Sequence, residues 1–189
     1  MKENLNQICK LLQDAYNKNW ITSRDGNISW KPEGADYFYI TPSGVRKQEL
    51  VPEQFKKLSL QDLTELDDNE LKPSGEVHLH HGLLKQTDKE HFVVHLHPTY
   101  IVAAMHKGYD LPSLTNTFPE LSRYTSIAPT VPMVPPISKE LADRCMDNLM
   151  TQHDVVGITA HGVVSRGNTL HDAYEHIERL EHICKIVTV

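Results

Sequence analysis

Cysteine is scarce in this 189-residue chain: Cys9, Cys145 and Cys184 are the only three. An odd count at irregular spacing argues against a disulfide framework or a zinc ribbon, and it fits a reducing compartment. Basic charge is also short. Nineteen Lys and Arg stand against 25 Asp and Glu, a formal net charge of -6, so no global positive field attracts nucleic acid. An anionic ligand must then be held locally, by backbone N–H groups or a few cations. No apolar run approaches the ~20 residues that span a bilayer. The amphipathic opening MKENLNQICKLLQDAYNKNW carries Glu3 and Asp14 and does not read as a signal peptide. No glycine-rich stretch matches a P-loop. These absences leave a soluble, cytoplasmic protein with neither a membrane nor a nucleic-acid partner. Hydrophobic residues at 39% and charged residues at 23% suit a globular chain, and 1–189 reads as one domain with a substantial core.

What is present is an interleaving of helices and short strands. Ile8, Leu11, Leu12 and Tyr16 repeat at helical spacing and predict a helix over 2–19. YFYI (37–40) is a strand running into the turn TPSG, short strands fall within 55–64, and LDDNELK is a polar loop. PSGEVHLHHGLLKQ (73–86) opens a helix, with Ser74 as N-cap and Glu76 in the first turn, where the helix dipole favours an anion. HFVVHLH (91–97) is a strand ended by Pro98, and TYIVAAMH follows as a helix. PTVPMVPP is an extended segment limited by proline to a sheet edge. SKELADRCMDNLM is a helix capped by Ser138. DVVGITAHGVVSRG holds two apolar runs broken around His161 and Gly162, a strand pair or a bulged strand. The last helix, from Thr169 to about Val187, puts Leu170, Ala173, Ile177, Leu180 and Ile183 or Cys184 on one face. The pattern predicts one α/β sheet covered by helices.

Histidine is abundant, with twelve residues, and it forms two His-x-His pairs, His78/His80 and His95/His97. On a helix, positions i and i+2 point to different faces, so His78 and His80 cannot reach one ion together. On a strand they share a face, about 6.5–7 Å apart, and two imidazoles at that spacing can converge on a metal. The pair at 95/97 is the better candidate. A catalytic zinc takes three protein ligands and keeps a position open, and His161, beside Gly162, offers a third. Glu76 serves either the helix dipole or an ion as ligand or general base. The turns DGNIS, TPSG and PSG are places where N–H groups and hydroxyls can surround a phosphate.

Read in order, GNIS (26–29), ITPSGV (40–45), PSGEVHLH (73–80), VVHLHPTY (93–100) and HGVVSRGNTLHDAYEHIERLE (161–181) resemble the class II aldolase/adducin family. The resemblance covers nearly the whole chain. It implies a three-layer α/β/α fold with a central, largely antiparallel mixed sheet, assembled as a homotetramer with active sites at subunit interfaces. It implies one divalent metal ion per subunit, with zinc favoured, held by His95, His97, His161 and, in the resting site, Glu76. Glu76 is also the implied catalytic acid–base. The implied phosphate site is Asn27, Ser43, Gly44, Ser74 and Gly75.

The implied reaction is cleavage of a ketose 1-phosphate through a metal-stabilised enediolate. Decarboxylation, dehydration and epimerisation of related sugar phosphates are the alternatives, and a non-catalytic adducin-like binding module is a third class. Three departures from the family stand out. Gly75 replaces a second hydroxyl residue before Glu76. LPSLTNTFPELSRY has no Tyr at the place of the proton-donating Tyr of the fuculose-phosphate branch, and Glu120 is the candidate for the carboxylate that the rhamnulose-phosphate branch uses in this region. The chain is also short for a C-terminal tail that covers the neighbouring site.

Overall fold

A strand whose residues are all apolar or buried needs a covering layer on both faces. His91–Leu96 is such a strand: all six residues are buried. In the computed structural model, which describes residues 2–150 and 152–189, it is the central strand of a seven-stranded sheet. The strands are β1 (Asn27–Lys31), β2 (Tyr37–Ile40), β3 (Lys56–Ser59), β4 (His91–Leu96), β5 (Ile127–Val131), β6 (Val155–Ile158) and β7 (Gly162–Gly167). Their order is β3-β2-β1-β4-β7-β6-β5. Every pairing is antiparallel except β5 with β6.

Alternation along the strands divides the core in two. Ile28, Trp30, Phe92, Val94 and Leu96 face a layer made by α1 (Lys2–Asn17), α3 (Thr99–His106) and α6 (Leu170–Thr188). Val93, Val156 and Val164 face α2 (Val77–Leu84) and α5 (Lys139–Met150) on the other side. The short α4 (Pro119–Tyr124) packs against α6. This is the three-layer α/β/α arrangement with a largely antiparallel sheet that the family resemblance implies, and it agrees with the helix-covered α/β sheet that the residue pattern predicts. Among the described residues, no helix is long and apolar enough to cross a membrane.

Several boundaries differ from the sequence expectation. The first helix stops at Asn17, because Asn19 turns left-handed (φ 58°) and the Trp20 N–H bonds back to the Ala15 carbonyl at 2.9 Å. Residues 55–64 supply one strand only; Leu63 also has positive φ, and the Ser59 N–H closes a turn onto the Thr64 carbonyl. The proline segment contributes an edge strand at 127–131 but no strand beyond it, as expected where prolines remove donors.

Ser74 is not the cap of α2. The helix begins at Val77, Glu76 takes the flanking position, and the Ser74 hydroxyl accepts from the Glu76 N–H at 3.3 Å. The cause is tertiary: Pro73 bridges to Pro42 and the Ser74 N–H donates to the Thr41 carbonyl, so this stretch stays extended. Ser138 does cap α5, accepting from the Leu141 N–H at 3.1 Å. The buried Glu181 carboxylate accepts from the N–H groups of Tyr100 and Ile101 at 3.0 and 2.8 Å, which pins the start of α3 just after His97.

Candidate active site

One end of the central strands gathers the histidines. His95 lies near the end of β4 and His97 just beyond it, so the two share a face as strand geometry requires. His161 sits in the turn between β6 and β7, and β7 runs beside β4, with Leu96 opposite Val163. The turn comes this close because Gly162 has no side chain: a Cβ there would lie 2.4 Å from the Leu96 carbonyl oxygen and 2.6 Å from His97 Cδ2. The ring centroids stand 4.7 Å apart for His95–His97, and 4.9 Å for both His95–His161 and His97–His161. Each ring offers a nitrogen within 4.8 Å of the other two.

The rings are aimed. His95 Nδ1 lies 3.0 Å from the Val163 carbonyl, which can only accept, so Nδ1 carries a proton and donates, and Nε2 is the nitrogen turned toward the site. That Nε2 is 2.9 Å from His97 Nε2 and 3.2 Å from Glu76 Oε2, while Glu76 Oε1 is 3.6 Å from His161 Nε2. Oε1 is buried and has no hydrogen-bond partner among the described residues. A buried, unpartnered carboxylate oxygen is costly, and a cation held among the imidazoles would supply a partner.

Burial, with His95 and His161 adding to it, pushes His97 down to about 3. Burial, followed by His95, also lowers His161. Both rings are therefore neutral near pH 7, the form that binds metal. For Glu76, burial pushes the carboxyl up, but His95, the Asn27 hydrogen bond and His161 outweigh it and hold the carboxyl at about 2. Three imidazoles and one carboxylate fit a divalent metal with nitrogen and oxygen ligands.

The three turns singled out in the sequence form one wall. Thr41 exchanges two bonds with Ile28, its N–H to the Ile28 carbonyl at 3.1 Å and its Oγ1 from the Ile28 N–H at 3.2 Å. The Thr41 carbonyl accepts from Ser74, and the Ser43 N–H donates to the Lys72 carbonyl at 2.9 Å. The wall closes a cavity of about 190 Å³ that reaches Glu76, His97 and His161.

Of the expected phosphate residues, Asn27, Ser43, Ser74 and Gly75 line this cavity; Gly44 is exposed at the loop tip and does not. The Asn27 side chain is engaged elsewhere: Nδ2 donates to Glu76 Oε2 at 2.9 Å, and Oδ1 meets His80 Nε2 at 2.5 Å. Its second N–H has no partner among the described residues. The structure does not bring Glu120 to the site; it is exposed at the start of α4 and outside the cavity lining. Ile137 lies over Gly75, where an added Cβ would meet it at 3.0 Å, and forms an apolar rim with Pro136.

Sequence reasoning missed two residues. Lys47 lines the cavity at 2% exposure, its ammonium donating to the Pro42 carbonyl at 3.0 Å, and burial brings its pKa down to about 8. In sequence it reads as one more surface cation. His80, fully buried, stands one helical turn after Glu76; that i, i+4 spacing was the available signal.

Residues 6–188 match the Class II Aldolase and Adducin N-terminal domain. The chain belongs to the class II aldolase/adducin family. Within it, a methylthioribulose-1-phosphate dehydratase of Saccharomyces cerevisiae is 39% identical over 71 residues, 37% of this chain and 29% of that protein. The matched stretch thus spans less than a third of that relative's length. An L-fuculose phosphate aldolase of Methanococcus maripaludis is 26% identical over 182 residues, covering 95% of this chain and 92% of that one. Among solved structures, YgbL of Escherichia coli superimposes with a TM-score of 0.86 at 24% identity, over 98% of this chain and 88% of that one, which bears out the fold.

Proposed function

We propose that the chain is a metal-dependent lyase that cleaves a ketose 1-phosphate into dihydroxyacetone phosphate and an aldehyde. The observation that carries this reading is the convergence of three imidazole nitrogens on a buried carboxylate with one unpartnered oxygen. His95, His97 and His161 hold the divalent ion, and zinc suits the donor set. When bound, the ion supplies Lewis-acid stabilisation of the negative charge that develops on the substrate oxygens as the carbon–carbon bond breaks. Glu76 moves the proton at the carbon beside the carbonyl: ionised, it removes that proton in the condensing direction, and it returns it in cleavage.

Lys47, the Ser43 and Ser74 hydroxyls and the backbone at Gly75 receive the phosphate and fix which bond faces the ion. Replacing Lys47 with Met is expected to raise KM for the phosphorylated substrate about 10–100-fold with kcat little changed, as for loss of a charged hydrogen bond made equally in ground and transition states. Steady-state kinetics check it. The proposed working form is a cytoplasmic homotetramer with sites at subunit interfaces, and Glu120 is assigned to proton donation only through such an interface.

Incubating the metal-loaded protein with a panel of ketose 1-phosphates tests the reaction, with dihydroxyacetone phosphate as the product read. Release from none of them overturns the aldol reading. The 39% identity to a dehydratase favours a second reading, dehydration of a ketose phosphate. Its product would keep every carbon and lose one water, which mass spectrometry separates from cleavage.

A further inference from the structure

Glu76 is held asymmetrically, and the hold continues beyond Asn27. Asn27 and Ser29 lie two apart on β1 and share a face; Glu76 and His80 lie four apart at the start of α2 and share another. The two faces meet. Ser29 Oγ is 2.6 Å from His80 Nδ1, His80 Nε2 is 2.5 Å from Asn27 Oδ1, and Asn27 Nδ2 is 2.9 Å from Glu76 Oε2. Ser29 and His80 are fully buried, so water has no access to the bond between them, and Asn27 and Glu76 are nearly buried at the cavity wall.

The direction of each bond follows from its end. An ionised carboxylate only accepts, so Asn27 must turn its NH₂ toward Glu76. Its Oδ1 then faces His80, so Nε2 carries the ring proton. Nδ1 is left as an acceptor, and the Ser29 hydroxyl donates to it. Burial, which pushes His80 down to about 3, keeps the ring neutral as this chain of bonds requires.

We propose that His80 is a positioning residue that locks the Asn27 amide as a one-way donor to Glu76 Oε2, leaving Oε1 as the oxygen that exchanges the proton. An amide is nearly symmetric in shape. Without the Nε2–H donor, a flip of Asn27 would set its carbonyl oxygen against the carboxylate and release Glu76 from its orientation. This role rests on the acid–base assignment of Glu76, but the bond directions do not.

Two measurements keep the two ideas apart. In the metal-loaded protein, long-range proton–nitrogen NMR is expected to show His80 as the Nε2–H tautomer around neutral pH, with the Asn27 amide protons slow to exchange. In His80→Met, of similar volume and without a donor, those amide protons are expected to shift and exchange faster. In His80→Gln, whose amide nitrogen reaches the Nε2 position, they are expected to recover. An Nδ1–H tautomer, or an Asn27 amide indifferent to His80→Met, overturns the proposal whatever reaction the protein catalyses.

With a turned-over substrate, His80→Met is expected to lower kcat about 10–100-fold with KM within about threefold, and His80→Gln to restore most of it. In a Glu76→Gln background, His80→Met is expected to cost nothing further. Additive losses there would mean that His80 acts independently of Glu76 and would also overturn the proposal.

Discussion

Glu76→Gln is expected to lower turnover about 10²–10⁴-fold with the fold unchanged, the loss that general acid–base groups show on removal. Gln matches Glu in shape and can still accept from Asn27 Nδ2, so the β1–α2 contact survives. The position of Oε1, now unpartnered and 3.6 Å from His161 Nε2, then holds an NH₂ group, which neither accepts a proton nor ligates a cation. The three imidazoles remain, so the ion is expected to bind more weakly but still to bind. Single-turnover kinetics at saturating metal, beside a thermal melt, measure both. Turnover within about threefold of the parent, well short of the loss general acid–base removal brings, would remove Glu76 from the chemistry.

Gly162→Ala is expected to be as damaging by a different route. The new methyl would lie 2.4 Å from the Leu96 carbonyl oxygen and 2.6 Å from His97 Cδ2. Neither neighbour can yield cheaply: the oxygen belongs to the backbone beside the β4–β7 ladder, and the ring is a proposed ligand. Relief requires the hairpin to move away from β4, taking His161 with it. Overpacking of this kind costs about 1–3 kcal/mol, and metal affinity should collapse because the third ligand is displaced. Gly34→Ala is the control. Gly34 has positive φ and nothing within 4 Å of an added Cβ, so its loss comes from backbone strain of about 1–2 kcal/mol alone. Denaturant unfolding and metal titration on both variants separate a general loss of stability from a displaced ligand. Equal metal affinity in the two would contradict the geometry.

The parts of this site that sequence reading reached are those with a local period. His95 and His97 were legible because a strand repeats every two residues and FVV marks the strand. The helices around α5 and α6 were legible from apolar spacing and from Ser138, and the sheet class from helices alternating with short strands. Residues whose roles are set by distant backbone were not legible. Ser74 has a capping sequence, yet a bridge between Pro42 and Pro73 overrides it. Lys47 looks like any surface lysine until the TPSG turn closes over it. In sequence His80 pairs with His78 as a His-x-His, and helix geometry keeps those two apart. Its real partners, Asn27 and Ser29, are about fifty residues away on β1, at separations of 53 and 51. The stitching of three turns into one wall is likewise a product of the sheet order, with β1 between β2 and β4.

Zinc titration by equilibrium dialysis tests most directly whether His95, His97 and His161 form one metal centre with Glu76. The apo protein is expected to bind one ion per chain, and His95→Ala, His97→Ala and His161→Ala each to abolish stoichiometric binding while circular dichroism stays native. Binding of no ion by the parent, or stoichiometric binding that survives all three replacements, would contradict it.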